Sequence, residues 1–487
     1  MKKINKYIIA CSALISMLTT LYGCSDNNYY DMKPPTRARY TPLPPGLPDV
    51  GDIHTHKAPL YWSTYEFMKM SEWAGKEHDD CVFTLDQWIE VLDWVKEELL
   101  PYGYDMVCTD GSGSFRALDG SPYMTHQTSV AFKDLVKEAH DRGLRVGIYD
   151  NPMWIHCDDN ILIPGTDIPV GTLRYNPETD YAETTKPDKP GPSDEPLAVI
   201  THPGGKEWID GFFKYYHDLG VDMIRMDFLS LYEEGWSRTD RIFYGPGFGR
   251  VNYAWFLAYC AEAAKKYNIF LSLVMPNMYN DAELEGRYGH MARVVDDTYT
   301  GGWYFTSSCW QGSVWDNWPH CKNQFDGFTY WHRAMSRSKL IPDGDFTRLN
   351  TYATDAEKES TISIQLLAGG PIAVSDQPST IGDNLHFYTN EEMLALNKDR
   401  FRGQPLDCTV NSVGSNIWYG TMSNGDHIVG FFNRDDEPQS FNLVLSQIGF
   451  EGEYHVRDLW RHIDEGIASE LHPVVPAHGC KVVKLTK

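Results

Sequence analysis

The chain has 487 residues, too many for one small core, so one large domain with a smaller one beside it is the natural expectation. Its 67 acidic residues outnumber its 43 lysines and arginines, which gives a formal net charge of -24. Such a charge argues against the partners that basic surfaces serve, namely nucleic acids and anionic membranes.

The N-terminus has the pattern of an export signal. Residues 1–7 carry three lysines, and the apolar run at 8–21 is too short to cross a bilayer. The LYGC that closes it resembles the lipobox of bacterial lipoproteins, which implies a signal peptide over 1–23 and lipidation of Cys24. An ordinary cleaved signal with an incidental cysteine is the alternative. Residues 24–50 then predict a proline-rich tether. We expect an exported lipoprotein of the outer membrane, facing the periplasm or the cell surface, whose only membrane contact is this lipid.

The stretch GDIHTHKAPLYWSTYE, at 51–66, leaves two chemistries open. His54 and His56 stand one residue apart, as at the start of many metal-dependent hydrolases. The aromatic pair that ends in Trp62 is instead typical of sugar-binding barrels. A metal site would need further ligands at later strand ends, and the predicted strands bring no additional histidine there. The sequence therefore favours structural histidines and a sugar-binding role for Trp62.

Short apolar runs alternate with longer amphipathic ones along most of the chain. The apolar runs predict strands at 58–62, 104–110, 144–150, 221–227, 269–274, 292–297, 340–342 and 371–375. Helical periodicity is clear at 85–100, 128–143, 205–220, 252–267 and 354–369. Eight strands in this alternation predict a (β/α)8 TIM barrel over residues 51–403, with reactive groups at the C-terminal strand ends.

The pattern changes near residue 404. Segments such as NIWYGTMSNGDHIVGFFNRDDEPQSFNLVL alternate apolar and polar residues and contain Asn-Gly and Asp-rich turns. Residues 404–487 therefore predict a C-terminal antiparallel β-sandwich domain.

Aspartates stand at several predicted strand ends: Asp110, Asp150, Asp227, Asp296 and Asp297. Because side chains alternate along a strand, Arg225 shares a face with Asp227, and Arg293 shares one with Asp297. The same alternation turns Asp296 away from the lumen. A positive charge beside Asp227 would keep it ionised, as a nucleophile requires, although a purely structural ion pair is the alternative.

Two carboxylates across a small cavity cannot both ionise easily, so one retains its proton to higher pH. A protonated acid at 297 facing an ionised nucleophile at 227 is suited to cleaving a glycosidic bond. Retention of configuration needs about 5 Å between the carboxyl groups, and inversion needs more. This chemistry requires no metal and no organic cofactor, and its substrate would be an oligosaccharide or a glycan. The 15 tryptophans and 29 tyrosines of the chain suit stacking on sugar rings, although large cores also use them.

At these residues the chain resembles glycoside hydrolase family 27, which holds α-galactosidases and α-N-acetylgalactosaminidases, in the retaining clan shared with family 36. The resemblance rests on MIRMD, RVVDD, GLRVGIYD, LLAGGPIAVSDQPSTI and HGCKVVKL, which occur in the family's order. It implies that Asp227 is the nucleophile, with Arg225 in place of the family's lysine. It also implies that Asp297 is the acid/base and that Arg293 contacts the 2-substituent of the sugar. Tyr149 stands at the position of the family's third-strand tyrosine and is a candidate sugar ligand.

The residues that recognise the sugar in the family are altered. Its second strand usually ends in two aspartates that bind galactose, whereas here Asp110 is followed by Gly111. On the fifth strand Val274 replaces the glutamate of galactose-preferring members, and Asn277, which follows the proline, is a candidate sugar ligand. The sequence thus predicts a retaining, exo-acting, α-galactosidase-like glycosidase. The alternatives are a different substrate, namely an α-N-acetylgalactosaminide, an isomalto-type α-glucan or a β-L-arabinopyranoside, and glycan binding without catalysis.

Four tryptophans lie just after the predicted acid, in TYTGGWYFTSSCWQGSVWDNW at 298–318. They predict either a stacking wall for a glycan or aromatic packing of the loop onto the barrel, and Trp303 is the candidate sugar ligand among them.

Overall fold

A computed structural model describes residues 42–68, 84–109, 122–123, 132–155, 157–174, 197–234, 236–237, 242–243, 248–298, 300–315 and 318–487. The predicted signal peptide lies outside the described residues, and so do Cys24 and Asp110. Within the described part, no helix is both long enough and apolar enough to cross a bilayer.

Nine short strands form one parallel sheet. They are β1 (Leu60–Ser63), β2 (Met106–Cys108), β3 (Arg145–Tyr149), β4 (Met223–Met226), β5 (Phe270–Leu273), β6 (Met291–Arg293), β7 (Ile341–Asp343), β8 (Phe346–Thr347) and β9 (Ile372–Val374). Their order is β8-β9-β1-β2-β3-β4-β5-β6-β7. The first and last strands of this order, β8 and β7, are separated in the chain only by Gly344 and Asp345. The two edge strands of the curled sheet are therefore next to each other in the chain, so the sheet closes on itself, which confirms the predicted barrel.

Helices cover the outside of the sheet. They are α1 (Leu85–Trp94), α2 (Phe132–Asp141), α3 (Gly205–Leu219), α4 (Leu229–Glu234), α5 (Gly249–Tyr267), α6 (Tyr279–Tyr288), α7 (Gln324–Ser338), α8 (Asp355–Ala368), α9 (Leu385–Tyr388) and α10 (Glu391–Asp399). Local sequence sets several of their ends. Helix α8 begins at a capping box of Thr354 and Glu357 and ends at Gly369, whose φ of 76° suits glycine.

Alternation along the strands sorts their side chains into two apolar layers. One cluster fills the barrel interior and contains Tyr61, Met106, Met223, Phe270, Met291, Ile341, Phe346 and Ala373. The other lies between sheet and helices and contains, among many others, Trp62, Val107, Ile224, Leu271, Ala292 and Val374. Side-chain direction at each strand end follows from this alternation.

The C-terminal domain is a sandwich of antiparallel strands. Its main sheet has the spatial order Gln404–Pro405, Ile417–Thr421, His427–Phe432, Cys480–Thr486, Tyr454–Asp458, Ile463–Ala468. Two small sheets pair Gln439–Ser440 with Val474–Val475, and Leu443–Val444 with Glu470–Leu471. A separate apolar core joins the main sheet to the small ones, as the predicted β-sandwich requires.

Buried polar contacts connect this domain to the barrel. The guanidinium of Arg434 donates to the hydroxyl and the carbonyl of Ser307, both at 2.8 Å, and to Asp326 at 2.8 Å. Ser307 lies in the loop between β6 and α7, and Asp326 lies in the first turn of α7. The loop after the predicted acid is therefore held from the side of the second domain.

Candidate active site

Two aspartates meet at the C-terminal end of the barrel. Asp227 directly follows β4, and Asp297 lies four residues beyond the end of β6. The negative charge of Asp297 raises the pKa of Asp227, and only the effect of burial is larger. The two carboxylates are therefore close enough to interact electrostatically.

Three hydrogen bonds hold Asp227. The Tyr149 hydroxyl donates to its Oδ2 at 3.0 Å, and the backbone N–H of Phe228 donates to its Oδ1 at 2.6 Å. The side-chain amide of Asn151 donates to its backbone carbonyl at 2.8 Å. Phe228 has a φ of 62°, so the chain turns sharply just after the carboxylate. Both carboxylate oxygens are thus oriented before any sugar binds.

An aromatic arc flanks the same carboxylate. The rings of Tyr149 and Trp154 are 5.9 Å apart, and those of Trp154 and Phe228 are 6.1 Å apart. All three side chains remain partly exposed. Trp154 and Phe228 were not predicted as site residues, because no sequence motif marks either of them. Their position next to Asp227 makes them candidate contacts for a sugar.

Burial and the neighbouring charge of Asp297 raise the pKa of Asp227 to about 6, against the Phe228 N–H and the charges of Arg293 and Arg225, which lower it. The sequence argument expected a cation beside Asp227, but in the structure it is Asp297 that forms an ion pair, with the Arg293 guanidinium. Among the described residues, no cation lies within ion-pair distance of Asp227. At neutral pH Asp227 remains mainly ionised.

A buried network of charges lies beside the two acids. Arg225 donates to Asp343 at 2.7 Å and to Asp345 at 3.1 Å, and it makes no direct ion pair with Asp227. Arg293 donates to Asp345 and to Asp297, and its Nε donates to the Val295 carbonyl at 2.9 Å. Asp345 therefore joins the two arginines.

This network corrects two predicted roles. Arg225 acts on Asp227 only through space, lowering its pKa, rather than by contact. The guanidinium of Arg293, predicted to contact the sugar, is buried and bonded to protein through all three of its nitrogens. Asp345 has a φ of 70° in the break between β7 and β8, where no strand pattern marked it.

Asp150 and Asp296 point away from the site. Asp150 accepts hydrogen bonds from the hydroxyl of Tyr216, on α3, and from the backbone N–H of Asn151. Asp296 pairs with Lys322, just before α7. Both are turned toward the helices, as alternation predicts for the residues next to Tyr149 and Asp297.

Trp62 is not positioned to bind substrate, and that prediction is wrong. Its side chain is fully buried in the layer between sheet and helices, where its ring packs edge-on against Trp88. Its indole N–H donates to the carbonyl of Asp376 at 2.9 Å. The residue before it, Tyr61, is the one that faces the interior.

Two further predicted sugar ligands are also buried. The Asn277 side chain donates to Glu233 at 3.0 Å, and its carbonyl lies 2.9 Å from His320 Nε2. Trp303 stacks on His478 of the second domain, with ring centroids 4.8 Å apart, and is only 7% exposed. Both side chains therefore stabilise the loops around the site and do not line the site itself.

The histidines of the first segment lie at the opposite end of the barrel. His54 Nε2 is 2.8 Å from the carbonyl of Gly286. The ring of His56 packs edge-on against His290 and against Phe270, the first residue of β5. In the described ranges, no group of three or more His, Cys, Asp or Glu side chains is arranged to hold a metal ion.

Opposed acids at the mouth of such a barrel, with a small β-sandwich behind it, define a class of protein, the barrel glycoside hydrolases. Residues 413–485 match the alpha galactosidase C-terminal beta sandwich domain. Isomalto-dextranase of Arthrobacter globiformis is 31% identical over 450 residues, which cover 88% of this chain and 67% of that protein. An alpha-galactosidase of Oryza sativa subsp. japonica is 28% identical over 232 residues, 46% of this chain and 51% of the relative. This chain belongs to glycoside hydrolase family 27.

Solved structures agree with this assignment. The isomalto-dextranase of Arthrobacter globiformis T6, complexed with panose, superposes with a TM-score of 0.77 at 30% identity, over 89% of this chain and 73% of the other. A family 27 β-L-arabinopyranosidase of Geobacillus stearothermophilus has a TM-score of 0.66 at 18% identity, over 89% of this chain and 97% of the other. The second likeness bears on the fold alone.

Proposed function

We propose that this protein is a retaining, exo-acting hydrolase of isomalto-type α-1,6-glucans, with Asp227 as nucleophile and Asp297 as acid/base. The observation that carries the substrate class is the similarity to isomalto-dextranase, which extends over 88% of this chain. The similarity to the rice alpha-galactosidase covers about half as much of it.

The fifth strand end supports a substrate other than a galactoside. Val274 is buried in an apolar cluster with Leu231, Met275 and Trp318. A carboxylate that binds a sugar hydroxyl, as in the galactose-preferring members that the sequence resembles, has no counterpart at this position. Gly111 likewise replaces the second of two galactose-binding aspartates.

The proposed reaction has two steps. In the first, the carboxyl group of Asp297 gives its proton to the glycosidic oxygen, the bond from C1 to that oxygen breaks, and an oxygen of Asp227 bonds to C1. In the second, a water oxygen attacks C1, Asp297 takes the water proton, and Asp227 is released. The bonds from Tyr149 and Phe228 hold the nucleophile for both steps. A sugar between the acids excludes water, which strengthens the repulsion between the carboxylates and favours one shared proton on the pair.

The test is a substrate panel with catalytic variants. We expect hydrolysis of dextran and isomalto-oligosaccharides and little or none of p-nitrophenyl α-galactoside, α-N-acetylgalactosaminide or β-L-arabinopyranoside. NMR of the first product should show the α-anomer. Asp227→Ala should abolish turnover, and azide should partly restore it with formation of a glycosyl azide.

Asp296→Asn is the matched control, because this acid is adjacent in sequence to Asp297 and faces Lys322 instead of the site. Hydrolysis of a galactoside alone would refute the substrate class and leave the acid pair standing. Full activity of a folded Asp227→Ala protein would refute the assignment of the acids.

A further inference from the structure

The loop between β6 and α7 carries four tryptophans, and they differ in exposure. Trp303 and Trp318 are buried, whereas Trp310 is 49% exposed. The ring of Trp310 lies 5.2 Å from that of Trp315, at an angle of 46°. Trp315 is itself partly exposed. We call Trp310 and Trp315 the aromatic platform.

The backbone of Trp310 is strained. Its φ is 49°, in the left-handed region that costs a non-glycine residue about 1–2 kcal/mol. Burial of half the indole offsets that cost, which a glycine would avoid altogether. The exposed half of the ring contributes nothing to stability and is available to a ligand.

The platform stands on a loop that other contacts hold in place. Arg434 bonds Ser307 on one side of Trp310. On the other side, the backbone N–H of Trp315 donates to the His320 carbonyl at 3.0 Å. Aromatic side chains presented on a fixed loop lose little conformational entropy when a ligand covers them.

The base of the loop lies at the ends of β5 and β6. The N–H of Asp296 donates to the carbonyl of Cys321 at 3.1 Å, and His320 contacts the carbonyl of Asn277 at 2.9 Å. The platform is thus on the catalytic face of the barrel, on the loop that begins at Asp297. An acid/base protonates the leaving oxygen, so the departing part of the glycan lies on its side of the site.

We propose that the aromatic platform binds the reducing-end continuation of an α-1,6-glucan, by stacking the apolar C–H face of its glucose rings on Trp310. The proposal rests on the proposed function and adds to it a binding site for the part of the chain that leaves. Aromatic rings suit this task because they offer a large apolar face together with a polar edge. The platform makes the enzyme favour long chains over short ones.

The test compares substrate lengths in three variants. Trp310→Ala and Trp310→Gly should each raise KM for dextran about five- to tenfold, the effect of removing one dominant aromatic contact, with kcat unchanged. Both should leave KM and kcat for isomaltotriose unchanged. Trp310→Tyr should restore most of the affinity for dextran. Glycine relieves the strained φ and alanine does not, so an equal rise in KM in both variants is due to the lost ring and not to the backbone.

Dextran affinity electrophoresis separates this proposal from the proposed function. It uses the Asp227→Asn protein, with and without Trp310→Gly, so that no hydrolysis is needed. Weaker retention of the double variant supports the platform even if the wild-type protein proves inactive on α-glucans. Equal retention of both proteins, or an equal loss of activity on short and long substrates, overturns it.

Discussion

The charge of Asp297 sets the acid side of the pH profile through its effect on Asp227. The nucleophile must be ionised, and its pKa is about 6, so kcat/KM should fall about tenfold per pH unit well below pH 6. Replacing Asp297 by Asn removes the second-largest cause of that raised pKa. The acid limb should therefore move to lower pH.

The size of the shift follows from Coulomb's law. At the separation of about 5 Å that retention requires, two unit charges repel by about 3 kcal/mol at an effective dielectric constant of about 20. That energy corresponds to about 2 pH units. The Asp297 side chain is 35% exposed and is paired with Arg293, so solvent and the arginine screen much of it. We expect a shift of about one unit.

The assay uses a p-nitrophenyl glycoside that the wild-type protein hydrolyses, because this leaving group departs without a proton from Asp297. Initial rates between pH 3.5 and 8 give kcat/KM for the wild-type protein, Asp297→Asn and Asp296→Asn. The control removes a neighbouring charge whose effect on the pKa of Asp227 is smaller than that of Asp297. An unmoved limb in Asp297→Asn, or an equal shift in the control, would refute the electrostatic reasoning.

Four further outcomes are expected. Asp227→Asn should raise Tm at pH 7 and have little effect at pH 4, which calorimetry at both pH values checks. The raised pKa of Asp227 destabilises the fold progressively from the unfolded pKa of 3.8 up to the folded pKa of about 6, and fully above it. Asp345→Asn should lower kcat at least tenfold and displace the pH profile of kcat, because Arg225 and Arg293 lose their common partner. An unchanged pH profile would show that Asp345 has a purely structural role. Trp62→Phe should lower the free energy of unfolding by about 1–2 kcal/mol and leave KM unchanged, because the Trp62 indole is buried. An increase in KM without a loss of stability would show that Trp62 binds the substrate after all. Cys24→Ala should abolish palmitate labelling and membrane retention of the expressed protein, and persistent labelling would contradict the lipidation predicted from the sequence.

Much of the barrel could be predicted because its strands are short, apolar and bounded by acidic residues or turns. All eight predicted strands coincide with strands of the sheet. Five of the described helices have no counterpart among the segments predicted from periodicity, namely α4, α6, α7, α9 and α10, and of these α6 and α7 are the longest. Helix α6 begins with Asn280–Ala282 in left-handed conformations, and α7 carries a glycine and several aromatic residues, so neither displays a simple amphipathic repeat.

The sequence by itself determined which side chains share a face of each strand. That is a local property of the extended backbone, so Asp227 and Asp297 could be paired, and Asp296 excluded, without any coordinates. Alternation also requires Tyr61 and Trp62 to face opposite sides of the sheet. It does not say which of the two faces inward, and the sequence argument chose the wrong one.

Only the tertiary structure decided where the long and buried side chains find their partners. Arg225 bonds aspartates 118 and 120 positions away, and Trp303 stacks on a histidine of the other domain. It also decided that burial raises the pKa of Asp227. Such outcomes depend on which distant residues close over a group and how far they exclude water from it, and neither distance nor burial is a property of a local stretch of sequence.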